Sequence, residues 1–171
     1  MPQLAVFYQT VAQLCFTLLG LWWLVLQTKY AEWIGDRDRR RMATNISLYF
    51  LLPGAMSLLA LLSTGASFVW QAAFVVASGL GALETLLLLL RDARTLVKTV
   101  ALRAVALLVA RAVGVLLYLV VFIVALFPGT AHSLNVAPLL IAGTSLTLLV
   151  VLGVGLAWAY FMEPQTVKRA A

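Results

Sequence analysis

Residues 83–127 read LETLLLLLRDARTLVKTVALRAVALLVARAVGVLLYLVVFIVALF. An apolar run closes at Leu90 and another extends from Ala104 to Phe127, with Arg91, Arg94, Lys98 and Arg103 in the short stretch between them. Neither run alternates. Leu86 to Leu90 and Leu116 to Phe127 are continuously apolar or aromatic, whereas a barrel strand alternates polar and apolar residues. A helix rising about 1.5 Å per residue needs about 20 residues to cross roughly 30 Å of hydrocarbon. The stretch therefore reads as the inner part of one membrane helix, a basic turn, and a second, antiparallel membrane helix.

Working outward, the same pattern gives five apolar segments, roughly 4–27, 45–63, 67–90, 104–127 and 136–161. The connection from Thr28 to Thr44 holds Lys29, Arg37, Arg39, Arg40 and Arg41, while the turn around Thr64 to Ala66 holds no basic residue. The alternation repeats: none lies between Phe127 and Val136, and Lys168 and Arg169 follow the fifth segment. Basic residues are retained on the cytoplasmic side, so the expected topology has the N-terminus outside and the C-terminus cytoplasmic. The fold class that follows is all-α: a polytopic integral membrane bundle of five transmembrane helices, one transmembrane domain over residues 1–171 with no soluble domain. The expected location is the plasma (inner) membrane.

Composition supports this independently of topology. The chain is 64% hydrophobic and 11% charged, with a mean hydropathy of +1.04, outside the ranges of soluble domains. The first segment is expected to remain as a helix and not to be a cleaved signal peptide, because no basic residue precedes Leu4 and the apolar stretch is longer than a signal core. A net charge of +6 would suggest nucleic acid in a soluble protein. Here the run Asp36-Arg37-Asp38-Arg39-Arg40-Arg41 borders a membrane helix, where anionic headgroups attract each cation by about 1 kcal/mol. Arg37, Arg39, Arg40 and Arg41 are therefore assigned to lipid-headgroup contact, and nucleic acid is not expected as a partner. The one cysteine, Cys15, cannot form an intramolecular disulfide and is expected to pack inertly in an apolar helix.

Trp22, Trp23, Tyr30, Trp33, Trp158 and Tyr160 fall near the cytoplasmic ends of the first and fifth segments and are expected as interfacial anchors. Thr44 and Asn45 are residues that cap helix N-termini and are expected to open the second helix. Within that helix Pro53-Gly54 removes a backbone donor and predicts a kink, with a gating hinge as the functional reading. Ser63-Thr64-Gly65-Ala66 predicts a tight hairpin; Phe127-Pro128-Gly129 stops the fourth helix, and Asn135 with Pro138 opens the fifth. Residues 91–103 are expected to continue the third and fourth helices around a turn near Thr95 to Lys98. No internal repeat is evident, and an odd helix number argues against an inverted repeat.

Polar residues inside the apolar segments are the functional candidates. Glu84 precedes Arg91, and Arg111 follows Arg103, by similar lengths of chain, so both lie on the order of 10 Å into the inner leaflet. A lone charge there costs about 2.5–3.5 kcal/mol on insertion scales, which favours pairing or hydration. Three readings follow: a Glu84–Arg111 salt bridge between neighbouring helices, a hydrated vestibule, or a proton-coupled Glu84. Ala77, Gly81 and Thr85 recur at four-residue spacing, a small-residue face for close helix contact, and Arg111, Gly114 and Tyr118 share a face opposite them. On the first helix Gln9, Gln13, Thr17 and Gly20 form a polar line with Thr10 beside it. Such carboxamides must face protein or water. Packing against Gly143, Thr144, Ser145 and Thr147 of the fifth helix is one expectation, and a polar path is the other.

With one His, His132, one Cys and few acids, no metal site, haem or other cofactor is expected. No Ser–His–acid set or phosphate-binding glycine loop is present, and Ser78-Gly79-Leu80-Gly81 is a packing pattern, so an enzyme is not expected. The leading expectation is a homo-oligomeric ion channel, with Gln9, Gln13 and Thr17 facing an outer polar path and Glu84 with Arg111 setting inner electrostatics. The alternatives are a scaffold subunit packed against a partner membrane protein, and a dimeric proton- or ion-coupled exporter. Topology is the testable part. In a Cys15→Ser background, Arg39→Cys is expected to react with an impermeant maleimide only from the cytoplasmic side and His132→Cys only from the outside; reaction of both from one side refutes the topology.

Overall fold

The computed structural model describes residues 2–33, 37–62, 67–96, 102–128 and 137–161. They form five helices: α1 (Pro2–Trp33), α2 (Arg37–Leu62), α3 (Ser67–Leu96), α4 (Leu102–Leu126) and α5 (Pro138–Phe161). Each is long and apolar enough to cross a membrane, and no strand occurs among the described residues. Proline ends two of the elements in the expected way. The Phe127 amide still donates to the Ile123 carbonyl at 2.8 Å, but Pro128 has no N–H to continue the ladder. At the start of α5, Pro138 takes a position whose N–H has no partner in any helix, and the Ala137 carbonyl accepts from the Leu140 amide at 2.9 Å.

Two boundaries differ from the sequence reading. The stretch from Thr28 to Thr44, expected as a polar connection, is largely helical, because α1 runs to Trp33 and α2 starts at Arg37. Hydropathy marks where a helix leaves the apolar layer and not where its hydrogen bonding stops, and Lys, Ala, Arg and Met in this stretch are good helix formers. Thr44 is consequently no cap: its hydroxyl donates back to the Arg40 carbonyl at 3.0 Å within α2. The hairpin 63–66, the outer connection 129–136 with His132 and Asn135, Lys98, and Lys168 with Arg169 lie outside the described residues. The same holds for the side chains of Lys29, Tyr30, Trp33, Asp38 and Arg103.

Helices α2, α3, α4 and α5 form a closed ring in which each packs on the next, with α3 against α4 the most extensive pairing. Outside this ring, α1 lies along α2. Near its N-terminus α1 also reaches across: the Tyr8 hydroxyl donates to the Leu139 carbonyl of α5 at 2.6 Å, and the Tyr8 ring meets Phe74 of α3 edge-on. At the opposite end the Trp22 indole donates to the Ala43 carbonyl at 3.3 Å, and the Tyr160 hydroxyl to the Arg39 carbonyl at 3.3 Å.

Close approach is set by aromatic rings seated on glycines. The Tyr118 ring of α4 lies on Gly81 of α3, where a Cβ would stand 2.5 Å from the ring. Tyr49 of α2 sits between α4 and α5, its hydroxyl against Gly114 and its Cβ against Gly153. Tyr49 and Tyr118 themselves meet in the ring's interior with centroids 5.8 Å apart. Overpacking a filled site costs about 1–3 kcal/mol. Gly114→Ala, which drives a methyl into the Tyr49 hydroxyl, should therefore lower the thermal midpoint of the purified protein, and adding Tyr49→Phe should restore much of the loss. A Gly114→Ala protein as stable as the parent would contradict this packing.

Candidate functional site

The bundle-facing side of α1 is built by Tyr8, Val11, Ala12, Cys15, Leu19 and Trp22, all buried. Their three- and four-residue spacing leaves Gln9, Gln13, Thr17 and Gly20 on the opposite, exposed side. The expected packing of this polar line against α5 is thus not what the structure contains. Large aromatic and aliphatic groups fill the groove, and α5 is met through Tyr8 and through Phe7, which lies on Gly143. Of the exposed polar groups, Thr10 and Thr17 return their hydroxyls to the Val6 and Gln13 carbonyls at 2.9 and 2.8 Å. Gln9 and Gln13 are exposed. On α5 Thr144 and Thr147 are likewise exposed and bond to their own helix, whereas Ser145 is buried and donates to the Ile141 carbonyl at 2.9 Å.

Arg111 is 2% exposed and pairs with Asp92, not with Glu84. Matching depth had suggested Glu84, but an arginine side chain is long enough to run along the helix towards the charged end, where Asp92 stands. Glu84 itself is half-buried on α3. In the sequence Asp92 lies between Arg91 and Arg94, in the basic stretch that separates the two apolar runs. Tyr118 shares the Arg111 face of α4, as the spacing indicated, yet its buried hydroxyl has no hydrogen-bond partner among the described residues. The small-residue face of Ala77, Gly81 and Thr85 packs within the chain, with Gly81 under the Tyr118 ring of α4 and Thr85 buried.

Beside Arg111 the α2–α4–α5 junction encloses a cavity of about 470 Å³. Asn45, 2% exposed, lines it together with Arg111. Asn45 had been expected as a helix cap; the early start of α2 moves it a full two turns into the helix and turns it to this junction. A second, open recess of about 580 Å³ is lined by Arg37, Arg40, Arg41, Thr44 and Arg91. Here α2 and α3 bring their cationic ends together.

The expected anchors divide into two kinds. Trp23 and Trp158 are exposed, at 53% and 64%. Trp22 and Tyr160 are instead packed against each other with centroids 6.4 Å apart, each polar tip satisfied by a carbonyl of α2. Pro53 and Gly54 are buried inside an α2 that continues through them, and Gly54 is covered by Cys15 and Phe16 of α1. No protein-family model, characterised protein or solved structure matches the chain.

Breaking a buried ion pair from one side costs roughly 3–5 kcal/mol, while replacing both partners by apolar groups is often neutral. Asp92 is 33% exposed, so Asp92→Ala should cost less, about 2 kcal/mol. The double variant Asp92→Ala/Arg111→Met should recover most of that loss, and Glu84→Gln should change stability by about 0.5 kcal/mol or less. Thermal denaturation in detergent reads all three. A larger loss from Glu84→Gln than from Asp92→Ala would reverse the pairing.

Proposed function

We propose that this chain is a multi-pass protein of the plasma membrane, its arginine-rich end cytoplasmic, that assembles with further copies of itself into a small ion-conducting pore lined by α1. The observation that carries the reading is the placement of Gln9 and Gln13 on the exposed side of α1, one turn apart and outside the closed ring of α2 to α5. In hydrocarbon a carboxamide has no partner, so this face calls for water or another polypeptide. The interior of one copy is filled by Tyr8, Tyr49, Phe74 and Tyr118, which favours a path between copies over one through a single copy. Closed symmetric association of α1 faces supplies both the partner and the path. Gly20, on the same face with nothing within 4 Å of where a Cβ would be, gives room for close approach of a neighbouring helix.

The second reading uses the same face to dock on a different membrane protein, with the chain serving as a scaffold subunit. Native mass spectrometry from lipid nanodiscs and flux into proteoliposomes separate the two. The pore reading expects a closed oligomer that passes potassium or chloride, and it expects Gln9→Leu/Gln13→Leu to reduce flux by about tenfold without loss of thermal stability. A monomer that passes neither ion overturns it and leaves the scaffold reading.

A further inference from the structure

We infer that the cavity between α2, α4 and α5 binds a single-chain anionic amphiphile, a hydrocarbon tail bearing a carboxylate or phosphate, admitted sideways from the bilayer. Its volume of about 470 Å³ falls within the roughly 300–1,000 Å³ of small-molecule sites. The walls are largely apolar, with Ile46, Leu107, Leu152 and Leu156 among them; the polar side chains in the lining are Asn45, Arg111 and Tyr160, whose hydroxyl donates to the Arg39 carbonyl. This is the composition of a site for an amphiphile: hydrocarbon along most of its length and polar groups at one place.

The polar groups also indicate the sign of the ligand. A guanidinium has five N–H donors, and one carboxylate engages at most two of them. Asp92 approaches Arg111 from α3, which leaves donors for the side that lines the cavity. Asn45 adds a carboxamide that is 2% exposed and brings two N–H donors of its own. Donors thus outnumber acceptors in a largely apolar enclosure, and buried donors without acceptors are unfavourable. A headgroup of acceptor oxygens satisfies them.

Lateral access follows from the residues at the rim. Ala106 on α4 and Gly155 and Ala159 on α5 line the cavity and are exposed on the bundle's outer surface. A Cβ at Gly155 would meet nothing within 4 Å. Small residues on two facing helices thus leave a slot open to the surroundings of the bundle. Asn45 lies four residues, on the order of 6 Å, beyond Arg41 along α2. A headgroup held there sits just inside the cationic end, close to its depth in a leaflet, with its tail free to follow the slot. One copy contains the entire site, so the inference stands or falls separately from the pore reading.

The test uses the full chain in nanodiscs with palmitic acid carrying a photoreactive diazirine on its tail. Adducts mapped by mass spectrometry are expected at Leu107, Leu152 or Leu156. Excess palmitate or hexadecyl phosphate should remove them, whereas hexadecanol and inorganic phosphate should not. Gly155→Trp, which fills the slot from open space, should cut labelling by about tenfold, as should Asn45→Leu; both are checked for an unchanged thermal midpoint. Arg111→Gln should do the same if it folds, and the other two variants decide the matter if it does not. Adducts elsewhere, or undiminished in Gly155→Trp, remove the site. Competition by hexadecanol equal to that by palmitate shows that no headgroup charge is read and overturns the proposal. Competition by inorganic phosphate assigns the polar groups to a soluble anion and overturns it too.

Discussion

Rings seated on glycines determine how this bundle is assembled. In a chain that is 64% hydrophobic, with leucines exposed on every helix, burying one more leucine against another does little to select one arrangement of helices over the rest. What distinguishes the native arrangement is shape. Tyr118 fits α4 to α3 because Gly81 has no side chain, and Tyr49 fits α2 between α4 and α5 because Gly114 and Gly153 have none. Two of the four contacts around the ring of helices, and the diagonal from α2 to α4, are therefore keyed by two tyrosines. Dispersion at such contacts falls steeply with small gaps, so a register shift of one residue at either tyrosine would separate the helices it holds.

That keying explains which parts of the structure were legible in the sequence. The five helices and their order follow from unbroken apolar length along the sequence, because a backbone in hydrocarbon must satisfy its own hydrogen bonds. Periodicity likewise identified residues that share a face: Gln9, Gln13 and Thr17 on α1, and Arg111, Gly114 and Tyr118 on α4. It does not say which way a face points. In a soluble protein the polar side of a helix is the outside by default. In this bundle both sides are candidates, and the choice is made by whether Tyr8, Cys15 and Trp22 fit the α2 groove better than two glutamines do. They do, by volume and by the carbonyls of Leu139 and Ala43 that meet their polar tips.

The misread residues share one cause, the reach of long side chains. Depth along the helix axis suggested Glu84 for Arg111, yet a guanidinium on a flexible stem samples more than a full turn in either direction, and Asp92 lies within that reach on the charged side. Trp22 and Tyr160 looked like interfacial anchors because amphipathic rings suit headgroups, but the same rings suit any helix junction with a free carbonyl. Trp23 and Trp158, a position or two away in sequence, are the exposed members. Both members of each pair are amphipathic rings, at depths that differ by one or two residues. Only the rotation of the helix, fixed by packing elsewhere, separates them.

Arg111 is where stability and function part. An ion pair inside an apolar layer contributes little net stability, since two hydrophobic residues of similar volume serve a fold equally well or better. Asp92 compensates Arg111 from one side without explaining why a cation belongs there. Arg111 stands at the one point where its guanidinium touches α3 through Asp92 and also lines the α2–α4–α5 cavity. A Met at that position would retain the α3–α4 contact and abolish the polar end of the cavity. A group that packing does not require, held at the junction of three helices beside an open slot, is positioned by the fold for a ligand.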